Sequence, residues 1–392
     1  MTAHTTTPDE LQPHHDAFAQ AALDRVGSVL NDTWRLESVL GVGGSAAVYV
    51  ATDRNGRRAA IKLLHAEYAF HDELRARLSH EARVLALVDH PGAVRVLDHD
   101  ITKDGTLFLV MELLEGETLS SYVVRKEGRI EPEQALLITL LVLDALAPTH
   151  ASGVVHRDIT VDNVFITRRG EVKLIDFGIA LLSNAPEVAA QPSIGQVVGT
   201  PGFMAPEQAQ GLNREVGVQS DVWAVGAILF ELLTGVPVHF EAHTLVQKLT
   251  SGAYRAAPEL GSILEDASLA LQGLVDKALA FDKSDRWQDA NAMREALLDL
   301  FVAAPELAGV RALDISFAPA PVGDGARSLR GTALGYERRP VPLERARQAL
   351  SSFLVALSAA LSRAFAAARS ELQRRLGERR KRSRLLSRTS SA

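Results

Sequence analysis

Apolar positions are dense from Trp34 to Phe301, and their period changes along the way. Val48-Tyr49-Val50 and Ala59 to Leu64 are short β-prone runs separated by the turn stretch TDRNGR. The glycine string GVGGSAAVYV, Gly41 to Val50, runs into the first of them. The order strand, glycine loop, strand, turn, strand makes the glycines the bend of a β-hairpin. The stretch DELRARLSHEARVLALVDHP switches to helical spacing, with Leu74, Leu78, Leu85 and Val88 on one face. A long helix is predicted from Pro132 to His150. Val164 to Ile166 and Val172 to Ile175 return to strands, joined by the turn TRRG. With the hairpin centred between Arg169 and Gly170, Asn163 lies opposite Asp176. The run DVWAVGAILFELL is apolar nearly all round, which predicts a buried helix with Ser220 near its N-cap and Gly235 at its stop.

The flanks read differently. Residues 1–33 are Thr-, His- and Asp-rich with weak periodicity and are expected to form a flexible leader or a short leader helix. The Pro/Gly/Ala-rich residues 303–342 read as a linker. Apolar positions from Leu350 to Leu376 advance by a mean of 26/7 residues. That is close to the 3.6 of a straight helix, so residues 343–392 read as one basic amphipathic helix and tail. The formal charge of -6 over 392 residues hides an asymmetry: residues 341–392 carry 12 Arg+Lys against 3 Glu, leaving -15 for residues 1–340. Such a helix can dock on the rest of the chain, bind a partner helix or lie on an anionic membrane. No aromatic platform accompanies the arginines, so specific nucleic-acid recognition is not expected. There is no cysteine, which excludes disulfides, Cys-ligated zinc and thiol catalysis in this sequence. The first residues lack a secretory pattern, and the longest uncharged Ala/Ser/Leu-rich run, Gln348 to Ser362, is shorter than the ~18 residues of a membrane span. The expectation is a cytoplasmic protein, with peripheral membrane contact left to the basic helix.

Glycine strings of this kind usually lie against phosphate. A Walker A loop is excluded because the chain has no Gly-Lys pair. A dinucleotide fingerprint needs a helix after the glycines and an acid ~20 residues on, whereas here a strand follows and the residue is Lys62. Glu81 falls on the inward stripe of its helix, where a carboxylate is costly unless a cation meets it, and Lys62 is the nearest candidate in sequence. Asp158, in the turn HRD, can take a proton from an incoming hydroxyl. The oxygens of Asn163 and Asp176 would suit Mg²⁺ beside bound phosphates. Each of the three alone would read as a turn cap; together they point to a site.

With APE at Ala205-Pro206-Glu207, the run Ser220 to Gly235 and Arg286 in KSDRW, this set resembles the eukaryotic-type (Hanks-type) serine/threonine protein kinases of the bacterial kind, over about Trp34 to Phe301. The resemblance implies an α+β, bilobal protein kinase fold. Its small β-rich N-lobe would span about 34–111 and its larger α-helical C-lobe about 115–302, so the kinase domain is 34–302. It implies ATP and Mg²⁺ as cofactors, with Mn²⁺ as a substitute. Gly41, Gly43, Gly44, Ala46, Val48 and Ala60 would surround the nucleotide, Met111 resembles the gatekeeper, and the backbone of Glu112 to Leu114 resembles the adenine hinge. Lys62 would touch the α- and β-phosphates, held by Glu81; Asn163 and Asp176 would hold the metal; Asp158 would accept the hydroxyl proton. Arg286 would pair with Glu207. GTPGFMAPE resembles a loop that receives an extended peptide, which implies a protein substrate, and Thr200 resembles the threonine that bonds the catalytic aspartate. Arg157 resembles the residue that pairs with a phosphorylated activation loop, here Ile179 to Met204, with Ser183, Ser193 and Thr200 as acceptors and Ser193 favoured.

Three positions depart from the family pattern. Ala46 replaces the third glycine of the loop, and Lys283 stands where proline is frequent. Thr160 replaces a lysine that neutralises the moving phosphoryl group, and losing one such charge corresponds to about 2–4 kcal/mol. Asp162 excludes the arginine that tyrosine kinases use instead. Two readings follow: an active kinase acting in intracellular signalling, or a weakly active or pseudokinase nucleotide-binding scaffold.

Overall fold

The structure, a computed structural model, describes residues 17–44, 46–65, 90–128, 130–176, 199–303 and residue 313. An antiparallel sheet in the order β1-β2-β3-β4-β6-β5 forms the N-lobe. Its strands are β1 (Val29–Leu30), β2 (Trp34–Val42), β3 (Ala46–Thr52), β4 (Arg58–Leu64), β5 (Val96–Ile101) and β6 (Leu107–Met111). The β3–β4 turn is tied by Asp53, whose Oδ1 accepts from the backbone N–H of Asn55 and Arg57 at 2.8 and 2.9 Å. Strand alternation gives β4 two duties. Ala59, Ile61 and Leu63 join an apolar cluster with Trp34, Leu36, Tyr49 and Phe108. Ala60 joins the cluster that continues into the helical lobe, and alternation puts Lys62 on that side.

Of the two forms expected for the leader, residues 17–33 take the ordered one, a short helix followed by a strand. Residues 17–24 form helix α1, with Ala22 only 3% exposed and Phe18 packed against the cluster of Tyr49 and Phe108. β1 pairs with β2. The adjoining residues reach the opposite edge of the sheet, which curls to meet them: Asn31 Nδ2 donates to Asp100 Oδ2 at 2.6 Å and to the Ile101 carbonyl at 2.9 Å. Arg25 and Asp104 pair at 3.3 Å, and Lys103 and Asp32 at 3.2 Å. Phe18, Ala22 and Leu30 are too few, and too divided between helix and strand, to show a period in sequence.

The C-lobe is built on α3 (Pro132–Ala151), α5 (Val218–Thr234), α8 (Leu269–Ala278) and α9 (Ala290–Ala303); short helices α2 (Leu119–Arg125), α4 (Pro206–Ala209), α6 (Leu245–Tyr254) and α7 (Leu260–Ile263) flank them. Every residue of α5 from Ser220 to Thr234 is buried. Gly235 ends it at φ 74°, its N–H bonded to the Glu231 carbonyl at 2.8 Å. The start differs slightly from expectation: Gly217 is the N-cap, and Ser220 sits three residues in, its Oγ accepting from the Gly217 N–H at 3.1 Å. Among the described residues α3 is the one helix long and apolar enough to cross a membrane. It packs instead as a core helix, with Leu136, Ile138, Val142 and Leu143 buried.

A second sheet is made of β7 (Gly116–Thr118), β8 (Val164–Thr167) and β9 (Val172–Leu174). Its register corrects the sequence reading. Val164 faces Leu174 and Phe165 faces Lys173, so Asn163 meets Ile175, whose N–H donates to the Asn163 carbonyl at 2.9 Å. The turn is centred on Arg169, because Thr167 N–H bonds the Glu171 carbonyl at 2.9 Å and Gly170 takes φ 78°. Asp176 therefore lies one residue beyond the pair. The expected linker and C-terminal amphipathic helix fall outside the described residues, Leu313 excepted.

Candidate active site

The loop His156-Arg157-Asp158 leads from α3 towards β8. Its backbone hangs from Asp221 in the first turn of α5, which is 1% exposed. Asp221 Oδ2 accepts from the His156 N–H at 2.7 Å and Oδ1 from the Arg157 N–H at 2.8 Å. His150 Nδ1 accepts from the Ala290 N–H at 3.3 Å, so its Nε2 carries the proton given to Asp221 Oδ2 at 3.0 Å. Arg157 takes φ 68°, a left-handed conformation rare for a side chain of its size. Gln208 Nε2 secures it by donating to the Arg157 carbonyl at 2.7 Å. His156 is fully buried, and its Nε2 donates to the Ile175 carbonyl at 3.0 Å. Burial lowers the His156 pKa, outweighing the upward pull of Asp221 and Asp158.

Asp158 is held on both carboxylate oxygens. Oδ2 accepts from Asn163 Nδ2 at 3.0 Å, and the same amide donates to the Asp158 carbonyl at 2.7 Å. Oδ1 accepts from the Thr200 N–H and from Thr200 Oγ1, both at 3.1 Å. Thr160 is 2% exposed and turned into the protein. Its Oγ1 accepts from the N–H groups of Asp162 at 3.2 Å and Asn163 at 3.3 Å, so it caps the turn that aims Asn163.

Lys62 lies in β4 between Val48 and Leu109, 8% exposed, with Nζ 2.9 Å from Asp176 Oδ1. Asp176, two residues past the end of β9, takes φ 60°. Glu81, the partner expected for Lys62, lies outside the described residues, as do Ser183 and Ser193. Asn163 commits both side-chain amide hydrogens to Asp158, which leaves its side-chain oxygen Oδ1 as the ligand end. Asn163 and Asp176 thus offer an amide and a carboxylate oxygen. Among the described residues no group of three or more His, Asp or Glu side chains can hold a metal alone. Two hard oxygen ligands fit an ion such as Mg²⁺ that takes its remaining ligands from phosphate and water.

Above them, the β2–β3 bend closes through the Gly43 N–H on the Ala46 carbonyl at 2.8 Å, and Gly41 pairs with Val48. Val48, Ala60, Met111 and Leu114 share one apolar cluster. Met111 ends β6 opposite Ala60. The side chain of Glu112 turns away to Lys173 Nζ at 2.8 Å and the Arg95 N–H at 2.9 Å. Deeper in the lobe, Arg286 meets Glu207 through two bonds of 2.8 and 2.9 Å, and Ser220 Oγ donates to the same carboxylate at 2.6 Å. Burial pushes the Glu207 carboxyl up, but the bonds and charge of Arg286 and the Ser220 hydroxyl hold it below the usual range. Lys283 Nζ pairs with the Glu215 carboxylate and donates to the Glu215 carbonyl at 3.0 Å.

Asp221, His150 and Gln208 were not read as site residues from the sequence. Asp221 stands inside the motif SDVW, where a helix-start acid is the ordinary reading; that motif was the one available signal.

A family model described as the protein kinase domain matches residues 34–298. The chain is similar to the serine/threonine-protein kinase Pkn1 of Myxococcus xanthus, 38% identical over 282 residues, 70% of this chain and 39% of that protein. It is similar to the serine/threonine-protein kinase PksC of Streptomyces coelicolor, 36% identical over 318 residues, 77% of this chain and 53% of that protein. The chain therefore spans about half or less of the curated relatives it matches. The crystal structure of the Mycobacterium tuberculosis PknI kinase domain has the same fold, with a TM-score of 0.54 at 23% identity over 70% of this chain and 97% of that one. With the glycine hairpin, the Lys62–Asp176 pair and the braced Asp158 in place, the chain belongs to the protein kinase family, among the Hanks-type serine/threonine kinases of bacteria.

Proposed function

We propose that this protein transfers the γ-phosphoryl group of ATP, with Mg²⁺, to serine or threonine hydroxyls of protein substrates. The observation that carries the reading is the Asp158 carboxylate, gripped by Asn163 on one oxygen and Thr200 on the other. Oδ1 takes both of the Thr200 bonds, whereas Oδ2 takes the single Asn163 bond and retains the capacity to accept the proton of a substrate hydroxyl. The grip fixes the rotation of the carboxylate, so that Asp158 aligns the nucleophile as well as accepting its proton. Lys62 would bind phosphate oxygens in place of Asp176, whose carboxylate, with Asn163 Oδ1, would hold the metal. Mg²⁺-ATP supplies the transferable group and neutralises the charge that develops on it. The Glu112 to Leu114 backbone would meet adenine, with Val48, Ala60 and Met111 against its faces. Thr160 brings no charge to the transferring group but positions Asn163. We infer that the kinase domain works in the cytoplasm, where ATP and Mg²⁺ are supplied.

The scaffold reading rests on Thr160 alone; against it, the relatives are named kinases and the Asp158 carboxylate is held on both oxygens. Purified protein with Mg²⁺ and γ-labelled ATP should transfer label to itself or to a test protein, and Asp158→Asn should lose the transfer while still binding ATP. Nucleotide binding with no transfer by the wild type would overturn the proposal.

A further inference from the structure

The kinase reading leaves one contact of the N-lobe unexplained. His65, just past the end of β4, places Nε2 2.8 Å from the Gly43 carbonyl in the glycine bend. A carbonyl oxygen only accepts, so Nε2 carries the proton and donates. The other side of the ring is covered by Phe18 of α1: the two rings stack with centroids 4.1 Å apart and planes 7° from parallel. Phe18 belongs to the side of the sheet that carries Ile61, Leu63 and Tyr49. Strand alternation says the same of His65, three residues beyond Lys62 and hence on the opposite face. The Gly43 carbonyl is thus drawn away from the Lys62 side. In a trans peptide the next N–H points opposite to the carbonyl. The Gly44 N–H is therefore turned towards the side on which Lys62 would meet phosphates. Neither Gly43 nor Gly44 has a side chain to hold this peptide plane, and glycine passes readily between alternatives.

We propose that His65 is a positioning residue for the phosphate lid and that α1 is its support: Phe18 fixes the His65 ring, and the ring fixes the orientation of the Gly43–Gly44 peptide. Residues 25–32 anchor α1 by fastening both edges of the sheet through Arg25–Asp104, Asn31–Asp100 and Asp32–Lys103. The segment ahead of the kinase domain then governs nucleotide affinity, although it takes no part in the chemistry. The inference rests on the kinase reading for its consequence and on geometry for the brace itself.

The test uses the full chain in four forms: wild type, Phe18→Ala, His65→Phe and His65→Gln. His65→Phe keeps a ring to stack on Phe18 and loses the donor; His65→Gln keeps a donor and loses the ring. Amide hydrogen exchange of the peptide covering the β2–β3 bend, measured without nucleotide, should quicken in Phe18→Ala and His65→Phe. The KM for ATP should rise about fivefold in both, the scale of one lost hydrogen bond, with the loss falling on KM rather than kcat. His65→Gln should recover part of the affinity. Global urea midpoints report whether any variant is merely less folded, and a KM rise that tracks the midpoint alone counts against the brace. Unchanged exchange in the bend, or a KM that stays the same or falls, overturns the proposal. A wild type that binds no ATP sinks the kinase reading and the affinity consequence with it, while the exchange experiment still decides whether the brace exists.

Discussion

Removing the guanidinium of Arg286 is the sharpest available test of how the C-lobe is held. Arg286 is 1% exposed and spends its donors on Glu207 and on the carbonyls of Gln219, Ala280 and Phe281 at 3.1, 2.8 and 3.0 Å. Its plane lies over the Trp223 ring, 5.0 Å from the centroid. Arg286→Met keeps much of the volume and strands the Glu207 carboxylate in the interior. Breaking one partner of such a pair costs about 3–5 kcal/mol, a large part of the ~5–15 kcal/mol that holds a domain together. With an m-value of about 3 kcal/mol/M, the urea midpoint should fall by about 1–1.7 M. Most of that cost is the orphaned charge, so Glu207→Leu/Arg286→Met should be clearly more stable than Arg286→Met alone. The pH dependence gives a second reading. The folded pKa of Glu207 is depressed, so its stabilisation is complete above the ordinary glutamate value of about 4.3 and is lost as pH falls through the lower folded value. In Arg286→Met the carboxyl, buried without its cation, shifts upward and protonates readily. The deficit of the variant should therefore shrink as both proteins are taken from pH 7 towards pH 4. A deficit below 1 kcal/mol, one that does not shrink on acidification, or a double variant no better than the single would refute the reasoning.

Three further outcomes are expected. Thr200→Val removes one of the two donors on Asp158 Oδ1 and keeps the backbone N–H, so kcat should drop about tenfold while Thr200→Ser stays near wild type; equal losses in both would show that the hydroxyl is not the cause. Thr160→Val deprives the Asp162 and Asn163 N–H groups of their side-chain acceptor, which should cost about 1 kcal/mol in urea unfolding and lower kcat, with Thr160→Ser retaining both properties. His156 is held neutral by burial with a depressed pKa, so the unfolded chain gains a proton first as pH falls. Stability should decline below about pH 6.5, with a slope of up to about 1.4 kcal/mol per pH unit from this group, and His156→Leu should remove that part of the slope between pH 7 and 5.5.

What could be read from the sequence was whatever repeats locally. Helix α5 announces itself because an apolar run with a glycine stop can only be buried, and Gly235 at φ 74° ends it as expected. Strands β3, β4, β8 and β9 follow from short β-prone runs between turns. Contacts between distant segments were legible only through the kinase resemblance, which named Glu207 with Arg286 and Thr200 with Asp158. The stripe argument gave Lys62 the partner Glu81, which lies outside the described residues; the contact that the structure does describe, with Asp176 114 residues along the chain, had no local signal. The hairpin register failed by one position because Gly170 adopts a positive φ in a longer turn, and no composition rule separates that turn from a tighter one. A short helix was one of two forms open for residues 17–33, and what the sequence did not reveal was their fastening, which is made of single polar contacts to the far edge of the sheet.

The places where local reading fails are also where the backbone is least comfortable. Among the described residues Arg157 and Asp176 both take positive φ, at 68° and 60°, and both lie in the segments that carry the chemistry. Such conformations cost about 1–3 kcal/mol each and persist only where the surroundings over-determine them. Here the surroundings are identifiable. Asp221 and Gln208 fix Arg157 from its two backbone sides. Asp176 follows Ile175, whose carbonyl accepts from the His156 ring and whose N–H is bonded to the Asn163 carbonyl. The two strained segments are thereby locked to each other, and Asp221 joins that lock to α5. A helix with no polar face gains nothing in solvent, so its burial stabilises the lobe and at the same time delivers Asp221 to the one point where the loop needs a buried anion. Stability of α5 and geometry at Asp158 are therefore coupled: a perturbation that tilts the first turn of α5 should lower kcat before it unfolds the domain.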